Sequence, residues 1–250
     1  MSDYEQDCDD VIRKSFAAGV SQIITIGIDP ASSKAAVRIA EQYSQIYASV
    51  GVHPHNVAGV TDKDYDELIL LAGHPKVVGY GEIGIDLAKK YAPEALQKEH
   101  FTRQLRLAKE LALPVIIHDR EAHDEVMDIL RKEQPFPAGG VMHCFSGDMA
   151  LAREVLDLGF YISIPGVVSF NKAEEMQEVA RKVPLNALII ETDGPFLSPV
   201  PMRGKRNEPA YVLYTAEKIA DLRGTDLDSI AKITTENATR LFHLQRVTTH

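Results

Sequence analysis

The chain has 250 residues, and its 27 Lys and Arg against 36 Asp and Glu give a formal net charge of −9 at neutral pH. With 45% hydrophobic and 25% charged residues, the composition excludes disordered, collagen-like and disulfide-scaffold classes. No apolar run reaches the roughly 18 residues that span a bilayer, and the start MSDYEQDCDD is unlike a signal peptide. We therefore expect a cytoplasmic protein whose two cysteines, Cys8 and Cys144, stay reduced. The acidic charge argues against coating nucleic acid by bulk charge, although a bound metal or a local basic loop would still hold a phosphate.

Short apolar runs alternate with stretches of helical periodicity along the chain. The predicted strands, seven in number, span residues 22–28, 47–52, 77–85, 114–117, 140–145, 160–164 and 188–191. The predicted helices span residues 9–18, 32–43, 64–71, 93–111, 123–131, 149–158, 172–182, 210–222 and 229–242. Continuous apolar strands joined by helices indicate a parallel α/β sheet. We predict one domain over residues 1–244 and a C-terminal tail over 245–250.

Two architectures fit this alternation. A closed (β/α) barrel has about this length but needs eight strands, so seven strands predict a TIM-like barrel that is distorted or incomplete. The alternative is an open doubly wound sheet, which usually carries a Gly-rich phosphate loop after an early strand. The residues that follow Ile28, Asp-Pro-Ala-Ser-Ser, contain no such loop.

Imidazoles and carboxylates dominate the carboxyl ends of the predicted strands, where parallel α/β folds place catalytic groups. These ends carry His53, His55, Glu82, His118, Asp119, His143, Glu191 and Asp193. Neutral imidazole and carboxylate together form the ligand set of hydrolytic Zn, Mn, Fe or Mg centres. Glu82 lies inside the apolar run 77–85 and therefore needs a partner or a metal. A lone strand-end histidine, however, is often a hydrogen-bonded core residue, and Asp193 before Gly194 has the alternative role of capping a turn.

Some of these side chains have competing interpretations. His53 and His55 flank Pro54, which breaks a strand, so both are predicted to lie on a loop. Cys144 follows His143 directly, so on a strand it would face the opposite side and pack rather than act as a nucleophile.

A basic segment follows the last predicted strand. Arg203, Lys205 and Arg206 stand in the run Arg-Gly-Lys-Arg, which either clamps an anionic group or forms a solvated loop. No Gly-x-Ser-x-Gly elbow occurs in the sequence, so serine hydrolysis has no support from this motif.

Taken together, the motifs resemble those of the TatD family of metal-dependent deoxyribonucleases, within the amidohydrolase-like superfamily of metallohydrolases. The resemblance runs from about Tyr4 to Leu244. It rests on Gly-Val-His-Pro-His at 51–55, Gly-Glu-Ile-Gly-Ile-Asp at 81–86, Pro-Val-Ile-Ile-His at 114–118, His-Cys-Phe-Ser-Gly at 143–147, Glu-Thr-Asp at 191–193, Ser-Pro-Val-Pro at 198–201 and Arg-Gly-Lys-Arg-Asn-Glu-Pro at 203–209. It implies a TIM-like barrel with a divalent-metal site at its C-terminal face. The implied reaction is hydrolysis of phosphodiester bonds in DNA, often from the 3′ end.

The resemblance also implies roles for individual residues. Glu82 would bridge two metal ions, and His118 and His143 would complete the ligand set of one of them. Asp193 would bind the other ion and orient or deprotonate the attacking water. The residues expected to contact the substrate are His53, His55, Arg203, Lys205 and Arg206. We therefore expect up to two Mg, Mn or Zn ions per chain and single-stranded DNA as the substrate.

One departure from the family pattern changes these expectations. Family members begin with a strand that ends in His-x-His, and this sequence starts after that motif. One ion would then keep Glu82, His118 and His143, whereas the other would keep only Glu82 and Asp193. We expect one tight and one weak metal site, with reduced activity, because a two-metal mechanism uses both ions. The missing strand would also leave two barrel edges unpaired, which would allow pairing with another chain. A smaller departure is Gly194, where the family usually has Ala.

Two other functions remain open from the sequence. Hydrolysis of a carboxylic ester or amide, as by a D-aminoacyl-tRNA deacylase, would use the same metal chemistry with a different pocket. A degenerate, non-catalytic barrel that only binds metal, nucleic acid or a partner is favoured by the missing His-x-His. The four remaining candidate ligands oppose that interpretation.

Overall fold

The structure, a computed structural model, describes residues 2–89 and 91–245. All seven predicted apolar runs form strands. These are β1 (Ile23–Ile26), β2 (Ile46–Val50), β3 (Val77–Asp86), β4 (Val115–Arg120), β5 (Gly140–Met142), β6 (Tyr161–Ile164) and β7 (Leu188–Ile190). They form one sheet in chain order, and every neighbouring pair is parallel. Seven parallel strands in a curled half-barrel confirm the predicted α/β class and TIM-like architecture.

The predicted helices also form, with shifts of a few residues at their ends. They are α1 (Cys8–Ala17), α2 (Pro30–Gln42), α3 (Asp62–Ala72), α4 (Glu94–Glu110), α5 (His123–Glu133), α6 (Met149–Asp157), α7 (Glu174–Lys182), α8 (Val212–Arg223) and α9 (Leu227–Leu241). The Asp-Pro-Ala-Ser run after Ile28 begins α2. The Asp29 carboxylate accepts a hydrogen bond from the Ser32 backbone N–H at 2.7 Å, and Pro30 occupies the first turn. No described helix is long and apolar enough to cross a membrane.

Side chains alternate between the two faces of the sheet and so form two apolar clusters. On β4, Val115 and Ile117 pack in the larger cluster beneath the helices, whereas Ile116 belongs to a smaller cluster that includes Phe242. Because residues two apart on a strand share a face, His118 lies on the same face as Ile116. Asp119 lies on the helix-covered face and contacts His123 of α5 at 2.7 Å. The alternation thus directs His118 towards the interior of the curled sheet.

The sheet is open between its first and last strands. Within residues 2–89 and 91–245, β1 pairs only with β2 and β7 pairs only with β6. A cavity of about 790 Å³ is lined by residues of both edge strands and reaches Glu82 and Asp193. The barrel is therefore incomplete at this position, as the strand count predicted. Of the predicted tail 245–250, only Gln245 lies among the described residues, so the division at residue 244 stays a prediction.

Side chains connect the N-terminal segment to the loop after β7 near this opening. The Tyr4 hydroxyl donates to the Asn207 carbonyl oxygen at 2.6 Å. The Arg206 guanidinium donates to both oxygens of the Asp7 carboxylate, at 2.9 and 2.6 Å. A β-carbon on Gly194 would lie 2.5 Å from the Tyr4 hydroxyl oxygen. Tyr4 would therefore have to shift if residue 194 carried a side chain. We call this set of contacts the seam.

Candidate metal centre

Four strand ends converge on the Glu82 carboxylate. Glu82 lies in β3 where the register with β4 shifts between Tyr80 and Ile83. Its Oε1 is 2.6 Å from His118 Nδ1 and 3.5 Å from His143 Nε2. The same His143 nitrogen is 3.7 Å from Asp193 Oδ1. The structure thus brings together the four side chains expected to bind metal, although they are up to 111 residues apart in the sequence.

The loop after β2 adds a third imidazole to this group. His53 Nε2 lies 3.3 Å from His118 Nδ1 and 3.5 Å from Glu82 Oε1. The His53 ring is oriented because the His55 backbone N–H donates to its Nδ1 at 3.1 Å. His55 itself turns away from Glu82, and its Nε2 contacts Asp86 Oδ2 at 2.7 Å. Both histidines lie on a loop, as Pro54 predicted, and their contact with substrate stays a prediction.

Mutual attraction keeps the Glu82 carboxylate ionised and the His118 and His143 rings protonated. Burial by itself would raise the pKa of Glu82, but the nearby charge of His143 and hydrogen bonds from His118 and His53 hold it well below its usual range. Burial disfavours a charged imidazole, yet hydrogen bonds to Asp86 and Glu82 raise the pKa of His118 to about 9. The pKa of His143 is likewise well above its usual value, because the charges of Glu191 and Glu82 outweigh burial. Protons on the imidazoles therefore balance the carboxylates.

Asp193 differs from Glu82 because it titrates near neutral pH. Burial raises its pKa to about 7, and the like charges of Glu191 and Glu82 add to this rise while His143 opposes it. Its backbone has a φ of 56°, in the left-handed region. Asp193 also accepts the Phe196 backbone N–H through its carbonyl oxygen at 2.9 Å. Its backbone therefore shapes a turn, which leaves the carboxylate to face the centre.

The prediction that Cys144 lies on a strand is wrong. β5 ends at Met142, and Cys144 has a left-handed φ of 45°. Because strand alternation no longer applies there, Cys144 does not simply face away from His143. Ligand atoms of His143, Cys144 and Asp193 all lie within 4.8 Å of one another. Burial raises the pKa of the Cys144 thiol well above its usual value, and the charges of Glu191 and Asp193 add to that rise, so the thiol is protonated at neutral pH.

Two buried carboxylates contact the far sides of the histidine rings. Asp86 Oδ2 lies 3.2 Å from His118 Nε2, and Glu191 Oε2 lies 2.8 Å from His143 Nδ1. The Ser163 hydroxyl also donates to Glu191 Oε2 at 2.5 Å. The motifs predicted no specific role for Asp86 or Glu191, although both close apolar runs. Carboxylates in such positions fix the ring orientation and the protonated nitrogen of metal-binding histidines.

The basic segment is divided between two environments. Arg206 is held by Asp7 and by Glu208, whose Oε1 lies 3.0 Å from its Nη2. It is therefore engaged in the seam, and its contact with substrate stays a prediction. Arg203 and Lys205 are exposed, and the Arg203 guanidinium lies 4.5 Å from the centre of the Phe170 ring. Within the basic segment, these two side chains are the more accessible to an anionic group.

The side chains at this centre fit a divalent metal ion. Two sets of three potential ligands, each within 4.8 Å, consist of His53, Glu82 and His118, and of His143, Cys144 and Asp193. Imidazole and carboxylate donors suit Zn or Mn. In addition, Glu191 Oε1 is buried with no hydrogen-bond partner among the described residues. A buried carboxylate oxygen without a partner is costly, and a bound cation would remove that cost.

Comparison with known proteins identifies the family. The family model described as TatD related DNase matches residues 1–243. The chain belongs to this family. The match confirms the resemblance that the sequence motifs showed to the TatD family, and it covers almost the whole of this chain.

Relatives and solved structures support this membership. The chain is 44% identical to the uncharacterized metal-dependent hydrolase YabD of Bacillus subtilis, over 96% of this chain and 94% of YabD. It is 35% identical to the 3′-5′ ssDNA/RNA exonuclease TatD of Salmonella typhimurium, over 97% of this chain and 95% of that protein. The crystal structure of YJJV, a TatD homolog from Escherichia coli K12, superimposes with a TM-score of 0.92 at 30% identity, covering 97% of this chain and 94% of YJJV.

Proposed function

We propose that this TatD-family chain is a divalent-metal-dependent hydrolase of phosphodiester bonds in nucleic acid, with single-stranded DNA as its substrate and cleavage from the 3′ end. The observation that carries the proposal is the convergence of Glu82, His118, His143 and Asp193 at the carboxyl edge of the sheet. The exonuclease name of the Salmonella relative supports the choice of reaction.

The proposed metal ligands are Glu82, His118, His143 and Asp193. A bound divalent ion would polarise the phosphoryl oxygen and neutralise charge developing on the phosphate, which removes the obstacle of an acidic chain. Asp193 is suited to accept a proton from the attacking water, because its pKa of about 7 lies near the working pH. Burial lowers the pKa of His53, so its neutral ring is available to donate one hydrogen bond to a phosphate oxygen.

Arg203 and Lys205 complete the proposed substrate contacts. Both are exposed at the loop after β7, and Arg203 is oriented by the Phe170 ring. Guanidinium and ammonium groups would contact the phosphates of the nucleic-acid backbone. We assign no such contact to Arg206, because Asp7 and Glu208 already bind it.

The ligands are distributed unevenly between two ions. Glu82, His118 and His143 form a set of two histidines and one carboxylate for one ion, whereas Glu82 and Asp193 are left for the other. We therefore expect one tight and one weak site for Mn²⁺ or Zn²⁺. Calorimetric titration measures this directly, and two equally tight sites would contradict the assignment.

Degradation of a labelled single strand tests the proposed activity. The substrate is a DNA oligonucleotide labelled at either its 3′ or its 5′ end, incubated with Mn²⁺ or Mg²⁺. We expect metal-dependent loss of the 3′ label first, and losses of at least a hundredfold in kcat for Glu82→Gln and Asp193→Asn. Asp66→Asn on the exposed face of α3 is the matched control. Activity that is indifferent to the Glu82 and Asp193 substitutions would refute their assignment.

A further inference from the structure

Exposed apolar side chains concentrate at the edge of the sheet that carries the metal centre. Among the described residues the large hydrophobic side chains that remain exposed are Ile69, Leu70, Tyr91, Phe196, Leu197 and Val200. Four of them lie on the loops that follow β3 and β7, which are strands that supply Glu82 and Asp193. Large exposed apolar side chains that group near a site are a common feature of interaction surfaces. The two rings, Tyr91 and Phe196, are 63% and 67% exposed.

The Tyr91 ring is attached to the histidine side of the centre. It meets the His55 ring edge-on, with ring centres 4.7 Å apart. His55 contacts Asp86 at 2.7 Å, and Asp86 in turn contacts His118 at 3.2 Å. The loop before the ring is also fixed, because the Lys89 backbone N–H donates to Asp86 Oδ1 at 2.8 Å. Tyr91 is thus an exposed ring on a backbone held in place by the centre itself.

The backbone of Phe196 is attached to Asp193. Its backbone N–H donates to the Asp193 carbonyl oxygen at 2.9 Å, and its carbonyl oxygen accepts from Asn207 Nδ2 at 2.6 Å. Asn207 is fully buried. The backbone of Phe196 is therefore anchored on both sides while its ring faces solvent.

The charges beside these rings suit a polyanion. Arg203 and Lys205 are exposed on the loop that also carries Phe196, within a chain of net charge −9. An aromatic ring beside a basic group is the combination with which proteins bind single-stranded nucleic acid, because every base has a π face and every nucleotide has a phosphate. A purely hydrophobic partner would leave these cations and the ligand cluster without matching groups.

We propose that Tyr91 and Phe196 are stacking platforms for the nucleobases of a single-stranded substrate, one beside His55 and the other beside Asp193. This inference rests on the proposed function and adds to it the side chains that distinguish an unpaired strand from a duplex. Bases in a duplex are stacked on each other and have no free face, so the two rings select unpaired nucleotides. Because stacking does not depend on base edges, this selection is tolerant of sequence.

A pair of substrates separates base stacking from hydrolysis. One is a thymidylate oligonucleotide, and the other is an abasic single strand of equal length and charge. We expect Tyr91→Ala and Phe196→Ala each to reduce the preference for the thymidylate strand, measured as the ratio of KM values, about tenfold, which corresponds to 1.4 kcal/mol. Tyr91→Phe and Phe196→Tyr should restore the preference because they keep a ring. Leu70→Ala, an exposed side chain on α3, is the control and should leave the preference unchanged.

A binding measurement tests the same inference without catalysis. The chain contains no tryptophan, so Tyr91→Trp or Phe196→Trp introduces a single indole at each platform. We expect the thymidylate strand to quench this fluorescence and the abasic strand not to. The inference would be overturned if both strands quenched the fluorescence equally, or if neither did, and the KM ratio of the alanine variants was unchanged. This result would indicate a protein partner for this surface. If neither strand is hydrolysed by the parent chain, the proposed function fails, but the fluorescence result still decides the stacking.

Discussion

Replacing Glu191 with Gln is expected to weaken metal binding at His143 while leaving the fold intact. Glu191 Oε2 accepts hydrogen bonds from His143 Nδ1 at 2.8 Å and from the Ser163 hydroxyl at 2.5 Å. The neutral amide keeps the shape of the side chain but removes the charge that orients the imidazole. Outer-shell partners of this kind contribute about 10–100-fold to metal affinity, which corresponds to roughly 1.4–2.8 kcal/mol.

Ser163→Ala provides a graded comparison for this substitution. It removes only the second hydrogen bond to the same oxygen and leaves the contact between His143 and Glu191, so we expect a loss of affinity smaller than that of Glu191→Gln. Removing the charge of Glu191 relieves its repulsion of Asp193 but also takes a charged partner from His143, and because these effects oppose each other we expect little change in the stability of the metal-free fold. A loss of affinity without a loss of stability is therefore the signature of a ligand that has lost its orientation.

Calorimetric titration with Mn²⁺ measures the affinities, and urea unfolding of the metal-free proteins measures their stability. Nitrogen-15 shifts of the His143 ring report which nitrogen carries the proton. An affinity of Glu191→Gln within twofold of the parent, in a protein of unchanged stability, would refute the argument. So would an equal effect of Ser163→Ala.

Three further outcomes concern the stability of the fold rather than metal binding. Gly84→Ala places a β-carbon against a backbone carbonyl oxygen of β4, at a residue with a φ of 154°. We expect it to lower the free energy of unfolding in urea by about 2–6 kcal/mol. Gly59→Ala is the neutral control, because its β-carbon would meet no atom within 4 Å. Arg206→Ala should lower the melting temperature by releasing Asp7, and the difference should shrink in high salt; no change in low salt would contradict the ion pair. Burial lowers the pKa of His100, so the unfolded chain binds more protons below about pH 6.5 and stability falls as the pH drops through that range. His100→Gln should flatten the fall between pH 7 and 5.5, and an unaltered pH profile would exclude this group as its source.

The elements of the fold were predictable because each depends on local pattern. Apolar runs located all seven strands, and period-two alternation places His118 on the same face as Ile116. The candidate ligands were predictable for a related reason, since carboxyl ends of parallel strands meet at one edge of the sheet. Glu82 was the clearest signal, because a carboxylate inside an apolar strand needs a partner.

The contacts around those ligands depend on distances that local pattern does not encode. His143 and Glu191 are 48 residues apart, and Arg206 and Asp7 are 199 apart. The error at Cys144 has a different cause: the alternation argument holds only while the chain is extended, and β5 ends two residues earlier than this position. A left-handed residue after a strand redirects the side chain, and no residue in the His-Cys-Phe-Ser-Gly run signals that bend.

The ligands of the metal centre are not all held equally firmly by the sheet. Glu82 and His118 lie on β3 and β4, which are hydrogen-bonded on both sides within the sheet. Asp193 follows the edge strand β7, and near it the N-terminal segment is joined to the loop after β7 through Tyr4 and Arg206. Local opening of a protein begins where few backbone hydrogen bonds hold it, so an opening of the seam would move Asp193 relative to the other ligands. An ion bound both by Asp193 and by the ligands on β3 and β4 would hold the barrel edge closed. Its binding free energy would therefore include the free energy of closing that edge.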